Sequence, residues 1–382
     1  MRKVYLDSAA TTQMREEVID KMAQVMRENY GNPSSTHSYG RSSKSLVENA
    51  RKTVAGYLNV SASEIVFTSG GTEADNLALN SAVRDLGVRR IITSKIEHHA
   101  VLYTVDQLKA CFDIAVDYVK LDNCGNVDIS DLEQLLSSSE EKTLVSLMHV
   151  NNEVGNILNI ETVGKLCKSK NALFHCDTVQ SIGHFKMDLS NLPVDFTAVS
   201  AHKFHGPKGV GFAFVRKNSG LKPLIFGGEQ ERGHRAGTES VHNIVGLEEA
   251  LKLAHETMDE ERAYISSLKK YFIEKLETEI PGVKFNGNCK DFESSTYTLI
   301  NVCLPVSPEK ALMLLFQLDL KGIACSKGSA CQSGSDKGSH VLSAFLSEED
   351  MKKPSLRFSL SRFNSTEDID YTVEVLKEFI EK

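Results

Sequence analysis

From about residue 60 onward the chain alternates short apolar runs with helix-like stretches, and this alternation limits the fold more than any other feature. The runs at 65–68, 91–93, 114–119, 143–148 and 173–176 are short and nearly continuous in apolar side chains. A strand with one wet face alternates apolar and polar residues, whereas a continuous run needs cover on both faces. Helices between successive runs supply that cover. The expected architecture is therefore α/β: a mainly parallel sheet in a large three-layer α/β/α domain.

With 382 residues the chain is long for one hydrophobic core, and its texture changes after Val215. A glycine-rich stretch, Phe226-Gly227-Gly228-Glu229, leads to a long helical segment near Ser240. Then come a strand over 297–304, a helix over 308–320 and a strand over 356–360. A last helix carries Ile369, Val373, Leu376 and Ile380 on one face, behind the capping sequence Ser365-Thr366-Glu367-Asp368. These elements predict a large domain over 15–250 and a smaller α+β domain formed by 1–14 and 251–382. The segment 15–29, with Val18, Met22, Val25 and Met26 on one face, is expected to pack beside the smaller domain. The stretch 326–339 holds five Ser and three Gly with almost nothing apolar, so it reads as a polar loop.

Composition excludes several functions. The net charge is −7 and no long basic run occurs, which argues against a nucleic-acid surface. No stretch approaches the ~20 apolar residues of a membrane span. The N-terminus turns polar at once, unlike a signal peptide, so the cytoplasm is the expected location. None of the eight cysteines forms a Cys-x-x-Cys pair, and Glu97-His98-His99 lacks the helical spacing of a metal motif, so no metal site is expected.

Four polar signals each follow a strand-like run. Lys203 stands in Ser200-Ala201-His202-Lys203-Phe204-His205-Gly206-Pro207; such a lysine can form a Schiff base with an aldehyde cofactor, or simply lie on the surface. Asp177 ends the run at 173–176, where it could pair with a protonated pyridine nitrogen or cap a helix; Gln180 could donate to the ring's phenolic oxygen. Gly70-Gly71-Thr72 opens a helix and can cradle an anion. His98 could lie against a ring and move protons, or cap a helix. Ligands of open α/β sheets bind at strand carboxyl ends, and the four signals together fit pyridoxal 5'-phosphate better than any one alone.

The chain resembles the cysteine desulfurases of the NifS/IscS type, in the class V aminotransferase family. The resemblance runs through Tyr5-Leu6-Asp7-Ser8-Ala9-Ala10-Thr11-Thr12, Ser69-Gly70-Gly71-Thr72-Glu73, Glu97-His98-His99-Ala100 and His149-Val150-Asn151-Asn152-Glu153-Val154-Gly155. It continues with Asp177-Thr178-Val179-Gln180-Ser181, Ser200-Ala201-His202-Lys203, Arg235-Ala236-Gly237-Thr238, Gly328-Ser329-Ala330-Cys331 and Leu356-Arg357-Phe358-Ser359. It implies the fold type I of pyridoxal-phosphate-dependent transferases, and conversion of L-cysteine to L-alanine with sulfur left on Cys331 as a persulfide. It further implies that Lys203 is the Schiff-base lysine, that Asp177 meets the pyridine nitrogen and Gln180 the phenolic oxygen, and that His98 stacks on the ring and serves as acid and base. Gly71, Thr72, Ser200 and His202 hold the phosphate, joined by Thr238 from the other subunit of a homodimer. Asn152 and Arg357 bind the substrate carboxylate.

A protein sulfur acceptor is implied, an iron–sulfur scaffold or a sulfur carrier for thio-cofactor or tRNA thiolation. Relatives serving the Isc scaffold carry a longer tail than the one ending here at Lys382, and Lys327 stands where many relatives have a small hydroxyl residue. Selenocysteine lyases and sulfide-releasing cysteine lyases are the alternatives within the family; a non-catalytic regulatory relative is a third reading.

Overall fold

A computed structural model describes residues 2–327 and 338–381. Its strands are β1 (Val4–Tyr5), β2 (Ile65–Thr68), β3 (Arg90–Thr93), β4 (Ala115–Tyr118), β5 (Thr143–Ser146) and β6 (Leu173–Asp177). They continue as β7 (Phe196–Ser200), β8 (Gly211–Val215), β9 (Lys284–Phe285), β10 (Leu299–Cys303), β11 (Ile323–Ala324) and β12 (Ser355–Ser359). Seven of them form one sheet in the order β2-β8-β7-β6-β5-β3-β4. In it β8 runs antiparallel to both neighbours, and the other pairings are parallel.

Successive residues of these strands enter different cores. Phe67, Ile92, Val145, Phe174 and Phe212 belong to one buried cluster; Val66, Ile91, Leu144, Phe196 and Ala213 belong to another. The period of two is intact, but both faces are apolar, which is why the runs look continuous in sequence. Helices Ser38–Tyr57, Ile160–Ser169 and Val241–Glu256 cover the first face, and Gly71–Arg84 and His99–Cys111 the second.

A second core surrounds the antiparallel sheet β12-β10-β9, paired from Leu299↔Ser359 to Cys303↔Ser355. Helices Met258–Glu279 and Thr366–Glu381 pack on it, with Phe272 and Phe358 at 5.2 Å between ring centroids. Strand β1 joins this core by pairing parallel with β11.

The N-terminal helix Glu16–Glu28 does not follow the sequence expectation. Val18 and Val25 are buried in the core of the large sheet, and the helix packs along Val241–Glu256 instead of beside the smaller sheet. The two helices pack closely at Gly246, where a Cβ would stand 2.6 Å from Met22 Sδ. Arg15, ahead of the helix, reaches the other body through a 2.9 Å ion pair with Glu261.

Close packing also brings strand ends together. Gly211 lies opposite Ser200 on β7 and Thr68 on β2. A Cβ on it would be 2.1 Å from Val199 O and 2.8 Å from Gly70 Cα, both backbone atoms that cannot swing away. Gly211→Ala should therefore cost about 1–3 kcal/mol, read as a lower urea midpoint with an unchanged slope. An unchanged midpoint would show that the strands separate without cost.

Candidate active site

The carboxyl ends of β2, β3, β5, β6 and β7 open on one cavity of about 360 Å³. The ends deliver the polar groups, because the strands behind are dry on both faces and the residues past them are the first that meet the cavity.

Past β2, Gly70 takes φ +152°, a conformation L side chains rarely adopt, and Gly71 starts a helix running to Arg84. A Cβ on Gly71 would lie 2.5 Å from Val179 Cγ2, so the helix N-terminus sits hard against the segment after β6. Gly71, Thr72, Ser200 and His202 line the same stretch of wall. First-turn N–H groups at the end of a 14-residue helix, with a hydroxyl and an imidazole beside them, suit a phosphate. Burial, then Lys203 and Lys208, lower the His202 pKa to about 4, so the ring is neutral; its Nδ1 lies 3.1 Å from Thr11 Oγ1.

Past β3, His98 caps helix His99–Cys111 by accepting from Ala100 N at 3.1 Å through Nδ1. The ring's proton is therefore on Nε2 at neutral pH. Burial first, then Lys203, His99 and His340, push its pKa down to about 4. His98 thus caps the helix and lines the cavity as well.

Asp177 ends β6 and is buried, with one carboxylate oxygen accepting from Val179 N at 2.8 Å. Burial raises its pKa to about 6 against the lowering pull of that bond and of Lys203. A cationic ring nitrogen in the cavity would relieve that cost, so the acid fits the group expected of it. Lys203 follows β7 in a short 3₁₀ turn and donates from Nζ to the carbonyls of Ala9 (2.6 Å) and Ala10 (2.8 Å). Gln180 Nε2 donates to the same Ala9 carbonyl at 2.9 Å.

The opposite wall comes from the other sheet. Arg357 on β12 is 1% exposed, which rules out an edge-strand surface charge. Its Nη1 donates to Asn152 O and its Nη2 to Asp7 Oδ1, each at 2.8 Å, while its Nε has no partner among the described residues. Arg357 and Asn152 both line the cavity.

Of the residues singled out from sequence, Thr238 does not line this cavity. Cys331 lies outside the described residues. Thr238 is exposed and away from the cavity, on a loop pinned by Arg235 to Glu73 (2.9 Å) and by a buried Arg51–Glu231 pair (2.6 Å). Cys325, whose pKa burial pushes up to about 12, is a thiol at neutral pH. Sequence reading missed the carbonyls of Ala9 and Ala10, and also Asp75, His99, Met148 and His340 in the lining. Backbone acceptors leave no side-chain signature, and Asp75 and Met148 look like ordinary helix and strand residues. No group of His, Cys, Asp and Glu fit to hold a metal occurs among the described residues.

A sheet of this order, with lysine, aspartate and an anion cradle at its crevice, defines the class: pyridoxal-phosphate enzymes of fold type I. The Aminotransferase class-V family model matches residues 4–372. The chain is 41% identical to Cysteine desulfurase IscS of Dictyoglomus turgidum, covering 100% of this chain and 95% of the relative. It is 44% identical to Putative cysteine desulfurase IscS 1 of Bacillus subtilis, over 97% and 96% of the two chains. A solved structure titled NifS-like protein superposes with a TM-score of 0.90 at 36% identity, each chain covered completely. The chain belongs to the class V aminotransferase family, among its cysteine desulfurases of the NifS/IscS type.

One buried acid in this region has a clear pH signature. Glu97 accepts from the Ser94 hydroxyl at 2.7 Å, and burial raises its pKa to about 8 against the lowering pull of that bond and of the Met148 backbone. The unfolded chain releases this proton near the ordinary carboxylate range, so the contribution to stability is full below it and is lost as pH rises toward about 8. Glu97→Gln should flatten that decline, so urea midpoints of variant and wild type should draw apart between about pH 5 and pH 9. Parallel profiles would show that Glu97 is ionised throughout.

Proposed function

We propose that this chain is a cysteine desulfurase that converts L-cysteine to L-alanine and leaves the sulfur on Cys331 as a persulfide. The observation that carries this reading is the convergence of Lys203, Asp177 and the Gly71–Thr72 helix start with Arg357 and Asn152 on one cavity. The named cysteine desulfurases at 41% and 44% identity support the choice of substrate.

Each residue then has a task. Lys203 anchors pyridoxal 5'-phosphate covalently and afterwards moves the substrate α-proton. Asp177 keeps the ring nitrogen charged, Gln180 donates to the phenolic oxygen and His98 lies against the ring. Gly71, Thr72, Ser200 and His202 hold the phosphate, with Thr238 contributed by the second subunit of a homodimer. Bound, the cofactor supplies an electron sink for the α-carbon. Arg357 grips the substrate carboxylate in a two-bond fork and Asn152 orients it. The Cys331 thiolate attacks the substrate sulfur: one S–S bond forms, the C–S bond breaks, and the carbon takes a proton to become alanine's methyl group. His98, neutral with its proton on Nε2, is the acid and base for these transfers.

The same reading divides the chain into a cofactor-binding domain, 15–250, and a smaller domain of 1–14 and 251–382 that carries the 326–339 loop. It places the enzyme in the cytoplasm with a protein sulfur acceptor, an iron–sulfur scaffold or a sulfur carrier. No helix among the described residues is long and apolar enough to cross a membrane.

Cys331→Ala should separate the two halves of the chemistry. Cofactor binding and the absorption change on adding cysteine should survive, while alanine and persulfide formation should fall to background. Stability should change by less than about 0.5 kcal/mol, as for most loop substitutions. Undiminished cysteine-to-alanine turnover would remove Cys331 from its role. The shared site has its own test: mixing inactive Lys203→Ala chains with inactive Thr238→Ala chains should restore part of the activity. A fully active monomer by light scattering would refute it.

A further inference from the structure

Glu153 and His340 have no part in the scheme above. Glu153 follows Asn152 in the turn after β5, and its side chain is 0% exposed. Its Oε2 accepts from the Ser339 hydroxyl, which itself accepts from Leu342 N at 3.0 Å. Its Oε1 has no hydrogen-bond partner among the described residues and faces His340 Nδ1, equally unpartnered, at 3.9 Å. The other ring nitrogen of His340, Nε2, lies 2.9 Å from the carbonyl of Glu97, the residue before His98. That contact needs the proton on Nε2, so in a neutral ring Nδ1 is a bare acceptor. Two buried acceptors aimed at each other are costly, and one added proton between them removes the conflict.

We propose that Glu153 and His340 share one proton and act as a positioning pair for cysteine binding. This rests on the desulfurase reading and extends it. The pair ties two parts of the cavity wall into one unit: Asn152, covalently next to Glu153, and His98, covalently next to the Glu97 carbonyl that His340 holds. Arg357 belongs to the same unit through its bond to Asn152 O. His340 itself lines the cavity.

Among the described residues, the groups facing the pair are few. His99, from helix His99–Cys111, has its ring 4.3 Å from that of His340, with the Tyr103 ring tilted 4.8 Å from it. His98 lies beyond, and Arg357 acts on Glu153 from β12. While the proton is present, Glu153 has a donor and the Asn152 turn is held. When it leaves at higher pH, a buried carboxylate faces a lone pair and the turn loosens. The effect should fall on substrate binding: KM for cysteine rises with pH while kcat changes less.

Two near-isosteric variants test this. Glu153→Gln offers His340 Nδ1 a permanent N–H, so the alkaline rise in KM should vanish. His340→Gln keeps a donor for the Glu97 carbonyl but leaves Glu153 without its proton partner, and should raise KM about tenfold at neutral pH. Cysteine affinity read from the cofactor's absorption change should move with KM, a readout independent of turnover. If the wild type neither responds to cysteine nor forms alanine, the desulfurase reading fails. If it does both, and the two variants reproduce its KM–pH profile, the pairing is wrong. A wild-type affinity that does not change with pH overturns it as well, whether or not the variants fold.

Discussion

The double burial of the seven-stranded sheet is the constraint from which the rest of the site follows. Helices on both faces make an unpaired polar group along a strand costly, by several kcal/mol or by forcing its own neutralisation. Polar chemistry is pushed to the strand ends, and the parallel order of β3, β5, β6 and β7 puts those ends on one side. The antiparallel β8 is what lets β2 and β7 sit close enough for Gly70 and Ser200 to face each other across Gly211. Anion cradle, aspartate and lysine are neighbours because strands are, whatever their separation in sequence.

The second wall depends on the first residues of the chain. Strand β1 pairs with β11 in the smaller core, and the turn after it crosses to the large sheet, where the Ala9 and Ala10 carbonyls receive Lys203. Asp7, in that turn, accepts from both Arg357 and Ser326. A short N-terminal strap thus connects the lysine of one body with the arginine of the other. Asp7 balances a guanidinium that would otherwise be buried unpaired, and so fixes where Arg357 points.

Much of this was legible in the sequence, for reasons that can be stated. Continuous apolar runs marked doubly buried strands, and the residues just past them, Gly71, His98, Asp177 and Lys203, lie where strand ends must open. Arg357 could not be read that way, because a lone arginine in a short strand looks the same whether it faces solvent or a cavity; only the resemblance singled it out. The N-terminal helix misled because Val18, Met22 and Val25 define an apolar face but not its partner. The partner proved to be helix Val241–Glu256, more than two hundred positions away, where Gly246 lies against Met22. The Ala9 and Ala10 carbonyls, and the neighbours of His340, were invisible for the same reason: contacts between distant segments leave no periodicity in either one.

Burial also decides the charge that the crevice presents. It lowers the histidines, His98 and His202 to about 4 and the deeper His175 to about 3, and it raises the acids, Asp177 to about 6 and Glu97 to about 8. Both shifts favour neutral forms near pH 7, so the histidines add no positive charge and Glu97 is largely protonated. The cations are specific: Arg357, held by one carboxylate and with no partner on Nε among the described residues, and Lys203, held by two carbonyls. Carbonyl dipoles can orient an ammonium but cannot cancel its charge. A cavity with cations on two walls, and one acid placed to meet a ring cation, is complementary to an anionic aldehyde cofactor together with an amino acid's carboxylate.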